Sequence, residues 1–146
     1  MTQATISPQY HRPALIKEVM GLLDVKPGDR CIDATIGDGG HARAILDAIS
    51  PDGRLLGIDA DPGSLERAEA RLQSYGKMVT LVNSNFSNLE DLAASRRFTP
   101  VMAILMDLGL ASWQLEAGGR GFSFIENVPL DMRLGPDQTI SASEIV

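Results

Sequence analysis

The sequence predicts an α/β domain, a parallel sheet of about four strands with helices packed on its faces. Three observations carry this reading. Four short apolar runs, around Cys31-Ile32, Leu55–Ile58, Val79–Val82 and Val101–Met106, alternate with segments of helical spacing, the pattern that builds βαβ units. The first run closes on Asp33 and passes through Gly37-Asp38-Gly39-Gly40 into a helical pattern, which reads as strand, tight turn and helix start. Three of the four runs end in an aspartate, Asp33, Asp59 and Asp107, at the sheet edge where open parallel folds bind ligands.

In chain order, residues 1–10 lack periodicity and read as a flexible leader, and residues 11–146 as the folded part. Pro13 suits the first position of a helix whose apolar residues, Leu15, Val19, Leu22 and Leu23, recur at helical spacing until Lys26-Pro27-Gly28-Asp29. His11, just before it, is expected to cap the helix or face solvent. Ala42 to Ile49 forms the first crossover helix, stopped by Ser50-Pro51-Asp52-Gly53. Asp61, followed by Pro62, reads as the N-cap of the next helix, through Leu65, Ala68 and Leu72. Leu89 to Ala94 is a short helix. The nearly unbroken apolarity of Val101–Met106 predicts a strand covered on both faces. Ser141 and Glu144 match a capping box whose helix has two residues left, and four strands leave one face of the sheet exposed beside Asp107, an edge through which the chain is expected to self-associate.

Composition bounds the function. With 146 residues, 44% of them hydrophobic, the chain holds one core. A net charge of −6 argues against avid binding of a polyanion by this surface as a whole. One cysteine, inside a strand, and two histidines offer no credible metal site. No run of about 18 apolar residues suggests a membrane span, and a cytoplasmic location is the simplest expectation.

Glycines at 37, 39 and 40 fit a turn that a ligand approaches closely, with the N–H groups of the following helix facing it. Gly37-Asp38-Gly39-Gly40-His41-Ala42 also fits the dinucleotide fingerprint, so a nicotinamide-dependent oxidoreductase must be weighed. Charge separates the candidates. Asp38 and Asp33 repel a pyrophosphate and welcome a cation, which favours S-adenosylmethionine, whose ribose would be held by Asp59 at the tip of the second strand. A non-catalytic fragment that binds a nucleoside or a partner chain is the alternative from another class. Phe86 falls at the same edge, where it packs on an adenine or closes the core. The stretch from Gly118 through Arg120, Phe122 and Phe124 to Arg133 reads as a packed surface loop, with stacking of an unpaired base and pairing of a phosphate as the other reading.

These residues together resemble a known family, the S-adenosylmethionine-dependent methyltransferases H of small-subunit ribosomal RNA, also called MraW. The resemblance rests on His11-Arg12-Pro13, Asp33-Ala34-Thr35 with Gly39-Gly40-His41, Gly57-Ile58-Asp59 and Asn85-Phe86-Ser87. It continues through Leu108-Gly109, Gln114-Leu115, Arg120-Gly121-Phe122-Ser123-Phe124 and Pro129-Leu130-Asp131-Met132-Arg133. It implies a Rossmann-like class I methyltransferase fold, here an amino-terminal, donor-binding part of one. It also implies that Gly39, Gly40, His41, Asp59, Phe86, Asp107 and Gln114 contact the donor, and that the acceptor is N4 of a cytidine in 16S ribosomal RNA. It brings Arg120, Phe122, Phe124 and Arg133 to the rim of the active site as candidate RNA contacts. Asp107 is the candidate to polarise the acceptor amine. Two positions depart from the pattern: Asp38, where the family has glycine or a basic residue, and Ala111-Ser112-Trp113, in place of Ser-Ser-Pro.

Overall fold

The computed structural model describes Tyr10, residues 13–116 and residues 119–146. His11, Arg12, Gly118 and the stretch 1–9 lie outside the described residues. Four parallel strands, β1 (Arg30–Asp33), β2 (Arg54–Asp59), β3 (Val79–Asn83) and β4 (Ala103–Leu105), form one sheet in the order β3-β2-β1-β4. The reversal between β1 and β4 is the switch point of a doubly wound fold, and it places the crevice beyond the carboxyl ends of the strands.

Two apolar layers hold the sheet. On one face Cys31 and Leu55 pack with Ile45, Leu46 and Ile49 of helix α2 (Gly40–Ile49) and with Leu72 of α3 (Pro62–Leu72). Helix α1 (Ile16–Leu23) lies on this layer through Met20 and Leu23. On the other face Ile32, Leu56 and Ile58 pack against Ala93 of α4 (Leu89–Ser95) and Phe98. Cys31 is fully buried and its thiol is pushed up to about 11 by burial, with Asp29 adding to the effect, so it behaves as a small hydrophobe.

Three features differ from the sequence reading. The first helix begins at Ile16, three residues after Pro13, because Leu15 takes a left-handed conformation that breaks the helix on its N-terminal side. The fourth strand is only Ala103–Leu105, so Asp107 lies two residues past its end. That strand is also not covered on both faces. Ala103 and Leu105 pack on the α2 layer, but Met102, Ile104 and Met106, which point the opposite way, are about half exposed or more. Apolarity marks the strand, but a covering element must be present to bury it, and the layer that includes α4 takes in Val101 but not Met102, Ile104 or Met106.

Beyond β4, α5 (Ser112–Glu116) precedes a long irregular segment that runs to α6 (Ala142–Ile145), where Ser141 and Glu144 complete the capping box. The segment is anchored at Gly135, where an added Cβ would sit 2.5 Å from the carbonyl oxygen of Ala60.

Candidate functional site

The tips of β1 and β2, the turn after β1 and the segment after β4 enclose a cleft of about 450 Å³, a size suited to a nucleoside-sized ligand. Among its lining residues are Gly37, Asp38, Gly40, His41, Asp59, Phe86, Asp107 and Gln114. Six of the seven residues expected to contact a donor therefore meet in one crevice. Gly39 does not line it. Its left-handed conformation (φ 81°) starts α2, and its open side packs on Leu72 of α3, where a Cβ would fall 3.2 Å from that side chain.

The glycine turn works partly through packing. A Cβ on Gly40 would lie 2.3 Å from Pro13, so this glycine lets the segment before α1 lie across the start of α2. The Gly37 and Gly39 N–H groups are already engaged, Gly37 by Asp59 Oδ2 at 2.9 Å and Gly39 by the Ile36 carbonyl at 2.9 Å. The N–H groups of the turn that lack an acceptor within the helix are thus those of the first turn of α2. Only at Gly37, with φ 54° and nothing closer than 4.0 Å to an added Cβ, does the turn leave open space.

Asp38 does not present an unpaired charge as the sequence reading supposed. Its carboxylate lies 2.8 Å from Arg71 Nη1, a largely buried pair that joins the turn to α3. The repulsion expected of a pyrophosphate is therefore offset at this position by a cation 33 residues away in sequence. The carboxylates left facing the cleft without an Arg or Lys partner among the described residues are Asp59 and Asp107, while Asp33 lies behind them. Asp33 is fully buried, and burial pushes its carboxyl up to about 7, opposed by the Thr35 N–H and reinforced by neighbouring Asp59 and Asp107.

Asp59 sits at the β2 tip and accepts one amide at each oxygen, Gly37 N–H at Oδ2 and Asp61 N–H at Oδ1, both at 2.9 Å. Burial raises its pKa, and those amide bonds work against the rise. Asn83 clamps the same tip by donating to the Asp59 and Ala60 carbonyls. Asp107 is held through its main chain, whose N–H donates to Thr35 Oγ1 at 2.7 Å, while its carboxylate stays largely in solvent. His41 is buried between two elements. One ring nitrogen, Nε2, lies 3.0 Å from the Ala14 carbonyl and the other, Nδ1, 3.6 Å from Asp107 Oδ2, an ion pair only when the ring is protonated. Phe86 opens a short 3₁₀ turn (Phe86–Asn88) capped by Asn85, and its ring is partly exposed to the cleft.

Gln114 is buried with both ends of its amide occupied, Oε1 by the Ala111 N–H and Nε2 by Asp61 Oδ2, each at 2.9 Å. Asp61 caps α3 as predicted, with Gly63 N–H at 3.0 Å, but it also accepts from Arg120 Nη1 at 2.8 Å. The sequence reading missed this hub. The cap motif was the visible signal, and the partners come from residues 53 and 59 positions away. The candidate RNA contacts separate accordingly. Arg120 is committed to Asp61 and lies 5.3 Å over the Phe122 ring, Arg133 pairs with exposed Asp131, and Phe124 is fully exposed.

Against known proteins, residues 8–146 match the MraW methylase family. The chain belongs to that family. A relative from Dehalococcoides mccartyi, named ribosomal RNA small subunit methyltransferase H, is 47% identical over 136 residues, which are 93% of this chain and 39% of the relative. A protein of the same name from Symbiobacterium thermophilum is 43% identical over 137 residues, 94% of this chain and 43% of the relative. The chain thus spans about two fifths of the length of these MraW relatives. Among solved structures, an rRNA methylase from Streptococcus thermophilus superposes with a TM-score of 0.53 at 22% identity, covering 75% of this chain and 62% of that one. A protein-L-isoaspartate O-methyltransferase gives 0.54 at 18% identity, covering 67% and 30%. These likenesses and the four-stranded parallel sheet make the fold that of a Rossmann-like class I methyltransferase.

Proposed function

We propose that this chain is the donor-binding part of an S-adenosylmethionine-dependent methyltransferase whose acceptor is N4 of a cytidine in small-subunit (16S) ribosomal RNA. The observation that carries the reading is the Asp59 carboxylate at the β2 tip, which lines the cleft and is held by the amides of Gly37, Asp61 and Ala60. A carboxylate has about four acceptor positions, so capacity remains for a ribose hydroxyl. The donor fits the residues present on this ground. The names of the relatives support methyl transfer to small-subunit ribosomal RNA, and the resemblance implies the cytidine N4.

S-adenosylmethionine, when bound, supplies an electrophilic methyl group. The chain's own residues do the rest. Asp59 holds the ribose, Phe86 offers a ring face to the base, and the acidic strand edge suits a cationic ligand. Gly40 and His41 form the wall at the start of α2, and Gln114 closes the side opposite. The exocyclic amine of cytosine is a weak nucleophile because its lone pair is delocalised into the ring, so alignment supplies most of the acceleration. Asp107 polarises that amine by accepting its N–H, held by Thr35 at its main chain and faced by His41. Phe124 is placed to stack an unpaired base, and Arg120 and Arg133 keep unused guanidinium N–H groups for phosphates beside their carboxylate partners.

The role of Asp107 is tested in a version extended to the length of the relatives. Asp107→Asn is expected to lose most methyl transfer to small ribosomal subunits even at saturating donor. Full turnover at saturating donor would remove Asp107 from the reaction.

A further inference from the structure

Asp61 is almost completely buried at the start of α3 and uses its carboxylate in two directions. Oδ1 accepts the Gly63 N–H at 3.0 Å, which is all that capping the helix requires. Oδ2 accepts from Gln114 Nε2 at 2.9 Å and from Arg120 Nη1 at 2.8 Å. The main-chain N–H of the same residue donates to Asp59 Oδ1 at 2.9 Å. One residue therefore touches the ribose-binding carboxylate on one side and the segment that follows β4 on the other.

A second contact fastens the same segment. Trp113 lies against the first turn of α3, where a Cβ on Gly63 would come within 2.7 Å of its ring. The Arg67 and Arg120 guanidiniums stand 5.6 and 5.8 Å from the Trp113 ring centroid, within reach of a cation–π interaction. Trp113 Nε1 is buried with no hydrogen-bond partner among the described residues, so packing and the two cations hold the ring. With the segment packed in place, loss of the Gln114 and Arg120 side chains would leave Asp61 a buried carboxylate with its Oδ2 uncompensated, so the contacts hold together as one fastening.

We infer that Asp61 is a positioning residue: it fastens the segment carrying Trp113, Gln114 and Arg120 to the strand tip that carries Asp59, so that the acceptor-side loop is set by the donor-binding edge. The naming of the two sides rests on the function proposed above. The fastening itself rests on the geometry.

Trp113 is the single tryptophan, so its emission and its quenching by acrylamide report on this segment alone. Asp61→Asn keeps an oxygen for the Gly63 N–H, and asparagine caps as well as aspartate, but it turns an amide donor toward two donors. In the ligand-free chain this variant is expected to shift Trp113 emission to longer wavelength and to raise its quenching severalfold, with helix content by circular dichroism unchanged. Equal quenching in the variant and the unaltered chain overturns the proposal. Should Asp61→Asn not fold, Asp61→Ser, which also caps but is too short to reach Gln114, gives the same comparison with the same two outcomes. Calorimetry with S-adenosylmethionine on the unaltered chain separates the two claims. Failure to bind removes the donor reading, while the ligand-free quenching still decides the role of Asp61.

Discussion

Residues 30–95 and residues 103–146 of this chain are built on different principles. In the first region both faces of β1 and β2 are covered, and Ile32, Leu55, Leu56 and Ile58 have essentially no exposure. In the second, one face of β4 is open, and the chain beyond it is held by polar contacts and by close approach at Gly121 and Gly135. The difference shows how labour is divided within one small domain. Burial makes the first region a rigid platform for Asp33 and Asp59, while the second is set against that platform by a few directional contacts, chiefly through Asp61. A site assembled across such a boundary has the Asp59 carboxylate on one wall and a segment held by polar contacts on the other.

The sharpest way to break the comparison is to cut the platform. Leu56→Ala removes a fully buried side chain between β1 and β3 and is expected to cost about 2–5 kcal/mol of stability, measured by urea denaturation. A loss below about 1 kcal/mol, typical of a site that collapses easily or is partly exposed, would mean that the first region is no better packed than the second.

A smaller effect comes from the charge buried in the platform. The Asp33 carboxyl titrates near 7 in the folded chain against an ordinary value of 3.8. Between those two pH values the folded chain keeps a proton that the unfolded chain has released, so stability falls as pH rises through the window and levels off above about 7. Asp33→Asn is expected to flatten this dependence and to leave the variant the more stable of the two at pH 8. A stability profile still falling between pH 4 and 7 in the variant would assign the effect to another group.

The smallest effect on stability is expected at the open face. Ile104→Lys replaces a half-exposed side chain on the edge strand and should change monomer stability by less than about 0.5 kcal/mol. It should also abolish any concentration-dependent association seen by sedimentation, since charge on an edge strand blocks edge-to-edge pairing. Association that survives the substitution would place the contact elsewhere.

Separation along the chain divides what was legible in the sequence from what was not. The strand, turn and helix around Gly37 to Gly40, the cap at Asp61 and the carboxylates at the ends of β1 and β2 are encoded in neighbouring residues, so local pattern was enough. The pairing of Asp38 with Arg71 and the convergence of Gln114 and Arg120 on Asp61 join positions 33, 53 and 59 residues apart. No spacing rule predicts such contacts before the sheet order is known. For β4 the two expectations pulled apart: its nearly unbroken apolarity argued for cover on both faces and the strand count for a face left exposed beside Asp107, and the exposed face is what the structure has.

Binding of a methyl donor at the strand edge is the central claim, and calorimetric titration of this chain with S-adenosylmethionine, against NAD, tests it most directly. S-adenosylmethionine is expected to bind and NAD not to compete. Asp59→Ala is expected to weaken the donor by about 1.5–3 kcal/mol, the value of one hydrogen bond to a charged group. This variant should also lose some stability, because Asp59 holds the Gly37 and Asp61 amides. Tight binding of NAD with no heat from S-adenosylmethionine, or an Asp59→Ala chain that still folds and binds S-adenosylmethionine as tightly as the unaltered one, would contradict the account.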